Sequence, residues 1–178
     1  MTRVDPYFPN GAFSPDDPDT DAFVQQWYGK HLRSMDESRL FEMCDPNTVV
    51  YRFLCLPTFH APYMIRIDAT PDGVLLTAKK TNGRGGYGPG RVVLNESIEL
   101  SPSQWQTFEN TIHEIGFWRM PTNGGHTGCD GTQCVIEGSN ANSYHVVNRW
   151  HPDGPFKTLC ESFLELCPPT CAEIANAR

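Results

Sequence analysis

Apolar residues change their period several times along the chain, and each change predicts an element. Phe23, Trp27, His31 or Leu32, and Met35 recur every three or four residues behind Asp19 or Thr20 as N-cap, which predicts an amphipathic helix. Ser34 and Glu37 have the spacing of a capping box, and Leu40, Phe41 and Cys44 continue a second short helix as far as Asp45-Pro46. From Thr48 the period shortens. Val49, Val50, Tyr51, Phe53 and Leu54 are β-branched, aromatic or apolar and end at Pro57, and Tyr63, Ile65 and Ile67 alternate with Met64, Arg66 and Asp68. The turn Thr70-Pro71-Asp72-Gly73 then leads into Val74, Leu76 and Ala78, which predicts a hairpin. Val92, Leu94, Ile98 and Leu100 share one face of a further strand, broken only by Glu96.

Ser101 to Ile115 is the clearest helix. Ser101 caps it, Pro102 takes the first position, Gln104 completes a capping box, and Trp105, Phe108, Ile112 and Ile115 form the apolar stripe, with Gly116 as the stop. Thr132 to Glu137 and Tyr144 to Trp150 form a second hairpin around Gly138 to Asn142. Phe156, Leu159, Phe163 and Leu166 mark a last helix that starts near Pro155 and ends at Pro168-Pro169. Antiparallel hairpins with helices between them predict an α+β fold: a two-layer sandwich of a mostly antiparallel sheet with helices on one face, plus an N-terminal helical arm.

Charge separates the arm from the body. Residues 1–46 carry nine acids and four bases, a net −5, and residues 47–178 carry twelve and ten, a net −2. Pro6, Pro9, Gly11, Pro15 and Pro18 exclude a continuous helix or central strand before Thr20. The expected organisation is a proline-rich arm with two helices at 1–46, packed on a single α+β domain at 47–178. Free in water, Phe8, Phe13, Phe23 and Trp27 would leave a large apolar surface.

The overall charge of −7 disfavours nucleic acid, which needs clustered Lys and Arg to release counterions. No apolar run approaches a membrane span and no signal-peptide pattern opens the chain, so the expectation is a soluble, cytoplasmic protein, monomer or homodimer, without a membrane partner. Seven cysteines are an odd number, and reduced thiols are the expected state.

Several short motifs carry chemistry. Gly83-Arg84-Gly85-Gly86-Tyr87-Gly88 matches G-x-G-x-x-G, but a strand pattern follows it where a phosphate site needs a helix N-terminus. A mobile hairpin loop is expected, with Arg84 and Tyr87 available for contact. His126, Cys129 and Cys134 have the donor types of a zinc site without paired C-x2-C knuckles, so no metal and no cofactor is expected. A Cys129 to Cys134 disulfide is an alternative pairing in the same stretch. Asp130, His145 and Cys129 supply the residue types of a nucleophilic triad, without any familiar local signature around the thiol. Tyr144, Arg149, Trp150 and His151 group aromatic and basic side chains, the types enriched in contact surfaces, although Tyr144, Val146 and Trp150 share a strand parity that suits a helix-covered face.

The stretch from Asp72 to Cys167 includes Leu100-Ser101-Pro102-Ser103-Gln104-Trp105 opening a helix, Gly116-Phe117-Trp118 closing it, a Gly-Asp-Gly loop, a hairpin and a final helix. This pattern resembles an uncharacterised bacterial α+β domain family of unknown function. The resemblance implies a fold and a bacterial source and carries over no catalytic residues.

These readings favour a noncatalytic binding or regulatory domain that contacts a protein or small ligand through Arg84, Tyr87, His126, Arg149 and His151. The alternative is a small hydrolase or thiol enzyme that uses the Gly124 to Cys134 loop with His145.

Overall fold

The computed structural model describes residues 6–43, 45–124, 128 and 130–168. In chain order these form α1 (Pro18–Ser34), a 3-10 turn (Leu40–Glu42), β1 (Val49–Pro57), β2 (Tyr63–Thr70), β3 (Gly73–Thr81) and β4 (Val92–Leu100). Then come α2 (Pro102–Glu114), a second 3-10 turn (Phe117–Arg119), β5 (Thr132–Asn140), β6 (Ser143–Trp150) and α3 (Gly154–Leu166). The strands make one six-stranded sheet in the order β4-β3-β2-β1-β5-β6, with every neighbouring pair antiparallel. The fold class is α+β.

Strand alternation builds two cores. Tyr51, Phe53, Tyr63, Ile65, Ile67, Leu76, Ile136 and Val147 point to one face and meet Phe108 and Ile112 of α2 and Phe156, Leu159 and Phe163 of α3. Phe108 and Phe163 join the two helices edge to face at 4.8 Å, the geometry that the quadrupoles of aromatic rings favour. α2 begins as its sequence dictates: the Gln104 N–H donates to Ser101 Oγ, and the Ser101 N–H donates to Gln104 Oε1. Gly116 ends the helix with φ +68, a left-handed conformation natural to glycine.

The opposite face presents Leu54, Leu56, Met64, Val135 and Val146 to Tyr28, Leu32 and Met35 of α1 and to Tyr7, Phe8 and Phe13 of the arm. The arm packs with α1 on this face, held by edge-to-face contacts of Phe8 with Phe13 at 5.0 Å and Phe13 with Tyr28 at 5.2 Å. Each such side chain stabilises the packed arm by roughly 1.5–3 kcal/mol on burial. Asp21 fixes the crossing, since its carboxylate accepts the N–H groups of Gly11, Phe13 and Ser14 and the Gln25 amide.

Three sequence expectations change here. The N-cap of α1 is Asp17, not Asp19 or Thr20, because Pro18 occupies the first helical position, where its missing N–H costs nothing. The buried stripe runs through Tyr28, Leu32 and Met35, which leaves Phe23 66% exposed. Tyr7 sits so close to Gly29 that a Cβ there would lie 3.3 Å from the tyrosine ring. The second helix expected from Ser34 to Cys44 is reduced to the turn Leu40–Glu42, while Cys44 lies outside the described residues. Asp36 turns left-handed at φ +53, and Glu37 is drawn beneath the sheet instead of capping a helix.

Glu37 accepts Lys79 Nζ at 2.7 Å and also contacts Arg66 and Arg52. Arg52 reaches Glu137 on the neighbouring strand, and Arg66 also pairs with Asp68. Three cations and three carboxylates thus neutralise one another in a largely buried cluster. Lys79 additionally donates to the Met35 carbonyl at the C-terminal end of α1, so the cluster ties arm and sheet together. Tyr144 and Val146 share this face under α1 rather than the one under α2 and α3, and Tyr144 donates to Glu137 Oε1.

Candidate functional site

The end of the sheet at the C-terminus of β1 gathers α1, the 82–91 loop and the residues before β5. Thr58 joins the two loops: its N–H donates to the Gly131 carbonyl, its Oγ1 accepts the Gly131 N–H, and its carbonyl accepts the Gly86 N–H. From the other side, Trp27 Nε1 donates to the Gly85 carbonyl at 2.9 Å and Lys30 Nζ donates to the Tyr87 carbonyl.

The 82–91 loop is therefore held in place, which corrects the expectation of a mobile connection. The Gly85 N–H lies 3.0 Å from both the Pro57 and His60 carbonyls, and Arg84 and Tyr87 close backbone bonds with Gly88 and with each other. A Cβ on Gly85 would stand 2.5 Å from the Leu56 carbonyl carbon, so glycine serves close approach at this position rather than freedom. β4, a strand and not a helix, follows the loop.

The arm from Pro6 to Pro15, α1 and these loops together line an open groove of about 2050 Å³. Phe23, Trp27, Tyr87 and Trp150 supply aromatic surface along it, and Asp19, Lys30 and Asp130 supply charge. Tyr87 is 58% exposed and lies against the exposed Phe59, with ring centroids 6.3 Å apart. Lys30 is engaged by the Tyr87 carbonyl and Asp21 by backbone amides, whereas Asp19 and Asp130 present exposed carboxylates. Burial opposes ionisation of Asp21, but the N–H groups of Phe13 and Gly11, the Gln25 amide and the Ser14 N–H overcome it and hold its carboxyl below the usual range.

His31 lies behind the groove, fully buried, and neither ring nitrogen has a full hydrogen-bond partner. Burial, reinforced by the neighbouring Lys30 charge, lowers its pKa to about 4, with the Gly85 backbone opposing slightly.

The residues expected to carry chemistry are dispersed. Tyr87 and Asp130 line the groove, and Arg84 is exposed on the same loop as Tyr87. His151 stands beside them, exposed, with Nε2 3.4 Å from the Asp130 carbonyl oxygen and its backbone at φ +48. Arg149 is occupied structurally, since its guanidinium donates to the Pro121, Thr122 and Asn148 carbonyls and lies over the Phe156 ring. His145 faces the other way, with Nε2 2.9 Å from the Met120 carbonyl and its ring against Phe117. Burial lowers its pKa. It sits six positions before His151 on β6, roughly 20 Å along an extended strand, so the fold does not bring Asp130 and His145 together.

His126 and Cys129 lie outside the described residues. Cys134 is buried in the helix-facing core beside Cys55 and Cys160, all three as free thiols. Among the described residues no group of three or more His, Cys, Asp or Glu side chains is arranged to hold a metal ion.

Phe23, Trp27 and Thr58 were not foreseen as site residues. Apolar positions at 23, 24, 27, 28, 32 and 35 wrap too far around a helix for spacing alone to choose the buried side. Thr58 contributes through strand-end geometry, which leaves no mark on composition.

Fold and groove together define an α+β protein with a six-stranded antiparallel sheet and an aromatic groove at one sheet end. No protein-family model matches the chain, and no curated protein matches it. Among the described residues no helix is long and apolar enough to cross a membrane.

Proposed function

We propose that the chain is a noncatalytic binding or regulatory domain that holds a protein partner in the groove lined by the arm, α1 and the 82–91 loop. The observation that carries this reading is the groove itself: an open concavity of about 2050 Å³ bordered by exposed Phe23 and Tyr87. Small-molecule sites usually enclose about 300–1,000 Å³ and bury most of the ligand, so size and openness favour a macromolecular segment over a small ligand. Aromatic anchors on a rigid frame are the usual centres of binding energy. The hydrogen bonds from Trp27 and Lys30 provide that frame. Separation of Asp130 from His145 supports binding over the alternative hydrolase or thiol enzyme. The acidic chain points away from nucleic acid, and the proposal includes a cytoplasmic location and a monomeric or homodimeric state.

Site-specific photocrosslinking tests the reading. A benzoylphenylalanine placed at position 23 or 87 in cells that express the protein should form a discrete adduct with one partner. The same group at Gln106, exposed on α2, should not. Adducts from position 106 alone, or none from 23 and 87, would contradict the proposal.

A further inference from the structure

Three cysteines far apart in sequence meet in the core between the sheet and α3. Cys55 of β1 and Cys134 of β5 are direct cross-strand partners with Sγ atoms 3.9 Å apart. Cys160 of α3 brings a third thiol within hydrogen-bonding range of Cys134, and the Tyr63 hydroxyl reaches Cys55. All three thiols are buried.

Directly opposed residues of antiparallel strands hold their Cβ atoms roughly 4.5–5.5 Å apart, and a disulfide needs about 3.8 Å. Closing Cys55 on Cys134 therefore requires a small approach and a χ1 rotation, with no change of register. Cys160 is placed differently: it sits on α3, anchored by Phe156, Leu159 and Phe163, and not at a paired position of the sheet.

We propose that Cys55 and Cys134 are an oxidation site that closes to an intramolecular disulfide on exposure to a disulfide oxidant such as glutathione disulfide, while Cys160 remains a thiol. Cys134 as thiolate attacks one sulfur of glutathione disulfide, forming a mixed disulfide and releasing one glutathione thiolate. Cys55 as thiolate then displaces the second glutathione, and the two protons lost by the cysteines end on the two glutathione molecules. The protein is oxidised by two electrons and the glutathione disulfide is reduced. Contact with neighbouring thiols and burial keep Cys134 protonated well above the ordinary thiol range in the closed protein, so exchange proceeds while α3 is lifted or before it docks.

The test is refolding of the full chain from denaturant in glutathione disulfide and glutathione, followed by alkylation and non-reducing peptide mapping. The expected product links the Cys55 peptide to the Cys134 peptide with loss of two hydrogens. It also unfolds at higher denaturant, and dithiothreitol reverses the shift. Cys160→Ala should keep the link, and Cys55→Ala should abolish it. Full alkylation of both thiols after refolding, or a link from Cys134 to any other cysteine, overturns the proposal. Should Cys55→Ala fail to fold, the wild-type peptide map decides alone.

Discussion

Arg52 and Glu137 face each other across β1 and β5, with Nη2 2.6 Å from Oε2 and both side chains buried. Two opposite charges at this depth survive because each has further partners: Arg52 also donates to the Ser38 carbonyl at 2.7 Å, and Glu137 accepts from Tyr144. Burial still raises the Glu137 pKa, against the pull of Arg52.

Removing one member leaves an uncompensated charge in the interior. Arg52→Met should destabilise the protein by about 3–5 kcal/mol in urea unfolding. Arg52→Met with Glu137→Leu should lose less than the sum of the two single changes, since the second removes the orphaned carboxylate. Additive losses would show that the pair is not coupled.

Asp21 tests whether the arm is fixed by hydrogen bonds as well as by packing. Asp21→Ala strips the acceptor from three backbone N–H groups and the Gln25 amide. It should cost about 3 kcal/mol on the scale of hydrogen bonds to charged groups, and limited proteolysis should then cut within residues 6–16.

His31 predicts acid sensitivity. Its folded pKa of about 4 lies below the unfolded value of 6.5, so its stabilising contribution is present above pH 6.5 and is lost as pH falls towards 4. Between pH 7 and pH 5 this histidine alone should remove about 2 kcal/mol of unfolding free energy. His31→Leu should flatten that part of the stability profile, and an unchanged slope would place the acid sensitivity elsewhere.

Gly85→Ala addresses the loop. Its new methyl group meets the backbone of Leu56 and Pro57, which cannot rotate away. The substitution should cost about 1–3 kcal/mol as overpacking does and should speed amide exchange at Gly86 and Tyr87.

The sheet and the helices α2 and α3 were legible because each is written locally: alternation in Tyr63, Ile65 and Ile67, and a capping box at Ser101 and Gln104 beside Pro102. α1 was legible as a helix but not in its rotation. Phe23 and Tyr28 are equally apolar to a pattern, and the tertiary contacts of Tyr28, Leu32 and Met35 with the sheet and the arm decide which faces inward. Glu37 misled for a related reason, since its spacing from Ser34 suits a capping box while its tertiary partners Arg52, Arg66 and Lys79 outweigh that local option. The groove was legible only in part, at Tyr87, Asp130 and Trp150, because the rest of it arises where three distant segments converge on Thr58.

The proposal that the groove binds a protein partner is tested most directly by the affinity of the crosslinked partner for surface variants, measured by titration calorimetry. Phe23→Glu with Tyr87→Glu places two charges on the exposed aromatic anchors, while Leu75→Glu places one on an exposed apolar residue at the other end of the sheet. The account predicts that the double variant, folded and as stable as the parent, binds at least about tenfold more weakly, the effect of losing roughly 1.4 kcal/mol, and that Leu75→Glu binds normally. Unchanged affinity in the double variant, or a loss confined to Leu75→Glu, would contradict it.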